Sequence, residues 1–293
     1  MSTADPRIDL HTHSSFSDGT DTPAELVAAA AAARLSVVAS TDHDTTRGWD
    51  AAAAALPPGL ALVRGAEFSC VVPGPDGTPD IPVHLLGYLF DPGHPAIVAE
   101  QTRLRAERVT RLRTMTERIA AAGYPVDVDT VFALLPEGGT AGRPHLARAL
   151  VGAGAVASVD RAFAELLHNG SPYYVPKVDT PAATAVGMVA AAGGVSVFAH
   201  PLARRRGRVV DEAAIAALAA AGLGGVEADH PDHAPDDRAL LRGLASELDL
   251  VVTGSSDYHG TNKTTPLGAE TTAPEQLEAL LARAAPDVEV LTA

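Results

Sequence analysis

The 293 residues carry a formal net charge of −14, a hydrophobic content of 46% and one cysteine, Cys70. The length suits one large domain or one domain with an insert, and the acidity argues against a broad grip on duplex nucleic acid. A single cysteine excludes a disulfide framework and a thiolate zinc site, and Cys70 reads as a small buried hydrophobe. No basic-apolar leader opens the sequence and no apolar run is long enough to span a bilayer, so a cytoplasmic protein without membrane partners is expected.

In chain order, "RIDL" reads as a strand that runs into "HTHSSFSDGT". "TPAELVAAAAAAR" is a helix, with Thr22 as N-cap, Pro23 at the first helical position and Glu25 closing a capping box. "LSVVAST" is a strand that ends at "DHD", residues 42–44. "LALVRGAEFSC" and "IPVHLLGYLF" are strands joined by the turn-like "PGPDGTPD", which predicts a hairpin. From about residue 94 to about 180 no clear strand occurs. One long helix of mixed charge, "PAIVAEQTRLRAERVTRLRTMTERIAAAG", precedes the shorter helical runs "DVDTVFALL", "RPHLARALVGAG" and "SVDRAFAELLH". Alternation then resumes with "GGVSVFAHP", "VVDEAAIAALAAAG", "GGVEADHP", "PDDRALLRGLASELD", "LVVTGSSDYHG" and "PEQLEALLARAA". About seven strands, mostly parallel, predict a small β/α barrel. A doubly wound sheet would carry a glycine fingerprint in its first turn, where this chain carries histidines.

In such a barrel the chemistry lies at the C-terminal ends of the strands. Those ends hold His11 and His13, His43, Glu67, His200, and Asp257 with His259; Asp18 falls in the first loop and His84 inside the hairpin. A lone histidine after a strand is ordinarily a loop residue, and "TDHD" alone could be a helix cap. Glu67 is different, because a carboxylate ending an apolar strand is costly to bury without a partner. His200 also ends a buried-looking strand, with Pro201 expected to hold it extended. Nine such residues at one predicted mouth point to a multi-metal site. Imidazole and carboxylate without thiolate suit Zn, Mn or Fe better than Mg or Ca. Nine ligands exceed the need of one ion, so two or three divalent ions with a bridging carboxylate are expected. Such ions polarise a phosphate ester and lower the pKa of a bound water.

"DLHTHSSFSDG", "TDHD", "GAEFS", "VHLLGY", "FAHP" and "SSDYHG" together resemble the motifs of the PHP (polymerase and histidinol phosphatase) superfamily. The resemblance runs through nearly the whole chain. It implies a distorted (β/α)7 barrel, built from residues 1–93 and 181–293, with residues 94–180 as an inserted helical domain capping the active site. It also implies a trinuclear centre. His11, His13, Glu67 and Asp257 would hold one ion. Glu67 would bridge to a second with His84 and His200, and Asp18, His43 and His259 would hold a third. His200, His230 and Asp257 are the candidate catalytic residues.

Within the superfamily the chain is most similar to stand-alone phosphoesterases with a helical insert, which act on nucleoside 3′,5′-bisphosphates or on the 5′ ends of short RNA. "AGRPHLARAL", "YVPK" and "GVEADHPDH" resemble their insert and substrate-side motifs. Arg143, His145, Lys177 and His230 are therefore the candidate substrate contacts. Lys177 stands out because the chain has only two lysines, Lys177 and Lys263. The basic run Arg204–Arg208 reads equally as an anion collector or a decorated loop. The expected function is hydrolysis of a small phosphorylated substrate. Histidinol phosphate or a cyclic phosphodiester is the alternative substrate, and a non-catalytic metal-binding module is the alternative of another class.

Overall fold

The computed structural model describes residues 6–286 and 289–293. Its sheet follows the order β1 (Ile8–Asp9), β2 (Val37–Ser40), β3 (Ala61–Val72), β4 (Ile81–Tyr88), β6 (Val195–Ala199), β7 (Gly225–Asp229) and β8 (Val251–Gly254). Two short strands, β5 (Thr180–Pro181) and β9 (Leu291–Thr292), pair with β3. All neighbours on the main path are parallel except β4, which runs antiparallel to both β3 and β6. The hairpin expected from the helix-free turn is thus present, and it is the distortion in an otherwise regular barrel. A bridge between Thr12 and Tyr258, with the His13 N–H donating to the Tyr258 carbonyl at 2.8 Å, brings the two ends of the sheet together.

Helices α1 (Pro23–Ala32) and α2 (Trp49–Ala54) follow the first two strands. The predicted capping box is formed: Thr22 accepts from the Glu25 N–H, and Glu25 accepts from the Thr22 N–H. The long run becomes α3 (Pro95–Ala121), followed by α4 (Val128–Phe132), α5 (Arg143–Gly152) and α6 (Val159–Ala162). After β5 come α7 (Ala182–Ala191), α8 (Glu212–Ala220), α9 (Pro235–Glu247) and α10 (Pro274–Leu281). Sequence reading did not anticipate α2 or α7. Both are rich in alanine, and neither has the side-chain N-cap that marks α1 and α8.

Strand side chains alternate between two apolar clusters, as a period of two requires. Val63 of β3 and Val197 of β6 join Ile8, Leu10, Leu86, Tyr88 and Val251 in one cluster. Leu62 packs with α1 and α2, and Phe198 packs with α7 and α8. The buried Tyr88 hydroxyl donates to the Leu10 carbonyl at 2.7 Å and ties β4 to β1. The segment between β4 and β5 has a cluster of its own, including Leu112, Met115, Ile119, Leu146, Leu150 and Leu167.

Candidate metal centre and active site

His11 and His13 leave β1 with the same facing because the intervening Thr12 is held on the neighbouring strand. Its hydroxyl donates to the Ala39 carbonyl at 2.5 Å, and its N–H donates to the Thr41 hydroxyl at 3.0 Å. The loop that carries Asp18 is set by buried Asp42, which accepts from the Ser14 N–H at 2.8 Å and from the Ser14 and Ser17 hydroxyls at 2.6 Å. Asp42 thus braces a loop and is no helix cap.

Glu67 on β3 is buried at the centre of five imidazoles. Its Oε2 lies 3.1 Å from both His11 Nε2 and His13 Nε2 and 3.2 Å from His43 Nδ1. Its Oε1 lies 2.7 Å from His84 Nδ1 and 3.1 Å from His200 Nε2. Burial works against its negative charge, yet the surrounding imidazoles, His84 and His43 foremost, hold its carboxyl well below the usual range.

The donor atoms gather into compact groups. His11, His13, Glu67 and Asp257 form one, and the five edges that involve an imidazole measure 3.0–3.4 Å. A tetrahedron around an ion with bonds near 2.05 Å has edges of about 3.3 Å, so these four fit a zinc-like coordination sphere. Asp18, His43 and His259 form a second group, joined by His13. Glu67 and His84 form a third with His43, a somewhat different set from the expected Glu67, His84 and His200. His200 nonetheless reaches the same Glu67 oxygen as His84.

Hydrogen bonding sorts the histidines by the nitrogen they present. His11 Nδ1 faces the Glu227 carboxylate at 3.1 Å, so it must carry the proton and leave the Nε2 lone pair free. His259 Nδ1 donates to the Asp257 carbonyl at 2.8 Å, which likewise frees Nε2. His13 Nδ1 donates to the Ser17 hydroxyl at 3.3 Å, whose own proton goes to Asp42. Three rings therefore aim lone pairs inward. Among the described residues, Asp18 Oδ1, His43 Nδ1 and His84 Nδ1 are buried with no hydrogen-bond partner, which suits coordination. His13 shows what the centre demands. Burial opposes its charge, but hydrogen bonds to Asp257 and Glu67 raise its pKa to about 9. A divalent cation answers that demand without protonating the ring. The residues present therefore fit divalent metal.

His230 is set the opposite way. Its Nδ1 accepts from the Asp232 N–H at 2.9 Å, so the proton sits on Nε2, 3.4 Å from Asp257 Oδ2. His145 Nδ1 meets both the Gly142 N–H at 3.2 Å and the Gly142 carbonyl at 3.3 Å, and its buried Nε2 has no partner among the described residues. Burial pushes His145 down to about 4, so it stays neutral and offers one N–H. His233 is occupied at both nitrogens, donating to the Ala228 carbonyl at 2.9 Å and accepting from the Leu202 N–H at 3.2 Å.

The remaining candidates lie between β4 and β5, and among the described residues no hydrogen bond or ion pair joins them to the metal-ready atoms. Arg143 donates through Nη1 to the Leu167 carbonyl at 2.8 Å and to Asn169 at 3.1 Å, and its guanidinium lies over Phe163 and Tyr174. Lys177 pairs with Asp179. Burial, reinforced by Arg111, lowers Arg143 to about 10; burial, reinforced by Arg108, lowers Lys177 to about 8. His200 does not sit extended before Pro201; it takes a φ of 30°, and Asp257 takes 51°. Such strain in non-glycine residues collects at functional sites.

Sequence reading missed Glu227, which lies inside buried β7 as Glu67 lies inside β3. Besides His11, it accepts from the His200 N–H at 2.8 Å and from the Ser255 hydroxyl. With its oxygens taken by these donors, it orients His11 and His200. Glu227→Gln is expected to weaken metal affinity about 10- to 100-fold, the usual cost of losing such an orienting carboxylate. Titration of the stripped protein with Mn²⁺ or Zn²⁺ checks this; unchanged affinity would leave Glu227 a purely structural group.

A buried cluster of imidazoles and carboxylates at the C-terminal end of a nearly closed barrel, with cations around it, defines a metal-dependent phosphoesterase. The chain belongs to the PHP domain family, whose model matches residues 9–121. It is 36% identical over 253 residues to a 3′,5′-nucleoside bisphosphate phosphatase of Chromobacterium violaceum, covering 86% of this chain and 87% of the relative. It is 34% identical to a 5′-3′ exoribonuclease of Haemophilus influenzae, covering 86% and 90%. A solved structure from Bifidobacterium adolescentis, assigned to the metal-dependent phosphoesterases, superposes with a TM-score of 0.88 at 36% identity, covering 96% and 98%.

Proposed function

We propose that this phosphoesterase hydrolyses small substrates bearing two phosphates, with nucleoside 3′,5′-bisphosphates or the 5′ ends of short oligonucleotides as the best fit. One observation carries this reading. Arg108, Arg111 and Arg143 come together in one closed crevice between α3 and α5, apart from the metal-ready atoms, which an anion would enter by parting these side chains. Burial and mutual repulsion lower Arg111, Arg143 and the neighbouring Lys177, so the cluster favours an added anion. The similarity to a bisphosphate phosphatase and an exoribonuclease points the same way.

In this reading residues 94–180 cap the mouth. Two contacts support it: Arg108 reaches Asp44, next to His43, and the Thr140 N–H donates to the Phe16 carbonyl at 2.7 Å beside Asp18. The nine residues His11, His13, Asp18, His43, Glu67, His84, His200, Asp257 and His259 would hold two or three Mn, Fe or Zn ions. When bound, such ions polarise a phosphoryl oxygen and lower the pKa of water. His200 and Glu67 hold the centre's geometry. Asp257 Oδ2 faces His230 and accepts a proton from the attacking water. His230, with its proton on Nε2, donates to the leaving oxygen. Arg143, His145 and Lys177 hold the second phosphate.

Among the described residues no helix is long and apolar enough to cross a membrane. A cytoplasmic location belongs to the same proposal, as does the absence of a duplex nucleic acid partner, which the net charge of −14 supports.

Arg143→Ala is expected to raise KM for adenosine 3′,5′-bisphosphate about 30-fold with kcat largely retained, since a charge-assisted phosphate contact contributes about 2 kcal/mol. Wild-type kcat/KM should favour that substrate over 3′-AMP and histidinol phosphate. A tenfold preference for histidinol phosphate, about 1.4 kcal/mol of transition-state selectivity, would overturn the nucleotide reading.

A further inference from the structure

Asp257 has two faces. Its Oδ1 lies 3.4 Å from His11 Nε2 and 3.3 Å from His13 Nε2, toward the metal-ready cluster. Its Oδ2 meets two cations, Arg206 Nη2 and Lys263 Nζ, each at 2.6 Å. Both cations stand on loops at the same end of the barrel, after β6 and β8, and each side chain is about one third exposed.

The two cations are not equally held. Arg206 also donates to Asp232 at 2.7 Å. Among the described residues, Asp257 is the sole carboxylate paired with Lys263. The loop that carries Lys263 is braced, however. The Thr261 N–H donates to the Thr20 hydroxyl at 2.9 Å, and the Asn262 amide donates to the Asp18 carbonyl at 2.6 Å. The turn needs Gly260, at φ 64°, because a Cβ there would strike Thr20. The ammonium is thus delivered to one place on a fixed loop, with only its flexible stem free to move.

We infer that Lys263 and Arg206 form an anion subsite for the reacting phosphoryl group, on the barrel wall and separate from the cations of the inserted segment. This rests on the phosphoesterase reading above. Two carboxylates, Asp232 and Asp257, face these two cations. With a divalent ion on Asp257 Oδ1, Oδ2 would no longer neutralise both cations, and Lys263, which has no second carboxylate among the described residues, would turn to the next anion available. A non-bridging phosphoryl oxygen suits it, since lysine binds phosphate as a point charge. Arg206 stays on Asp232 and keeps the subsite positive. When Lys263 turns away, Asp257 Oδ2, already 3.4 Å from His230 Nε2, keeps only the Arg206 cation and can accept a proton.

The test uses Lys263→Met, which keeps the stem and removes the charge, with Lys263→Arg as the conservative control. Inorganic phosphate serves as the probe, by competitive inhibition and by calorimetric titration of the metal-loaded protein. The metal content of each variant is measured by elemental analysis. The subsite predicts at least tenfold weaker phosphate binding in Lys263→Met at unchanged metal content, with partial recovery in Lys263→Arg. If metal content falls in parallel with phosphate binding, Lys263 merely positions Asp257 and the subsite is refuted. Unchanged phosphate binding refutes it as well. Wild-type protein that retains neither metal nor phosphate would instead overturn the phosphoesterase reading itself.

Discussion

Glu67→Gln is expected to empty the metal centre and to lower kcat/KM on the order of 1000-fold, while the protein stays folded. The substitution preserves volume, and the β3–β4 ladder around Glu67 is made by backbone groups it does not touch. What it removes is the single negative charge that five imidazoles share at 2.7–3.2 Å. An amide nitrogen carries no lone pair for a cation, so one of the two bridging donor atoms is lost. Metal ions contribute several kcal/mol of transition-state stabilisation in phosphoryl chemistry, which sets the size of the effect. Elemental analysis, circular dichroism and steady-state kinetics on the same preparation decide it. A fully metallated and active variant would show that Glu67 is not the bridge.

Arg108→Met is expected to destabilise the protein by about 3–5 kcal/mol, the usual consequence of stranding one member of a buried ion pair. Arg108 on α3 donates through Nε to Asp44 Oδ2 at 2.5 Å and through Nη2 to the Ser69 hydroxyl at 2.6 Å. Asp44 also accepts from the Ser69 N–H and hydroxyl, both at 2.8 Å. This network joins the long helix to residues beside His43 and Glu67. Burial opposes the Asp44 charge, but Arg108 together with Lys177, His43 and the Ser69 N–H outweighs it and holds the carboxyl down to about 2. Because the folded pKa is depressed, the pair's stabilisation is complete above the ordinary aspartate value near 4 and fades as pH falls toward 2. In Arg108→Met the uncompensated, buried Asp44 should titrate higher, so acid unfolding should begin at higher pH. Urea denaturation at pH 7 and an acid titration measure both effects. A midpoint within experimental error of wild type would remove Arg108 as an anchor.

Much of this architecture is local chemistry and could be read along the chain. Thr22, Pro23 and Glu25 start α1 through groups within three residues of one another. Alternation of apolar runs placed the strands, and a helix-free turn revealed the antiparallel β4. Histidines and carboxylates at strand ends marked a mouth, because a barrel sends all those ends to one side. The sequence by itself therefore determined the barrel class and which side chains are delivered to the mouth.

Only the tertiary structure decided how those side chains divide their work. Glu227 meets His11 across 216 positions, Arg108 meets Asp44 across 64 and Arg206 meets Asp257 across 51. Periodicity reports which face a residue occupies and is silent about its partner, so Arg108 read as one more charge on a mixed-charge helix. The same holds for the histidine tautomers. His259 and His230 both follow barrel strands, yet one points a lone pair inward and the other a proton. That difference is set by whether Nδ1 meets a carbonyl, as at Asp257, or an N–H, as at Asp232. A hydrogen-bond partner two residues away is enough to set a ring's polarity, but which partner it meets depends on how the loop is folded.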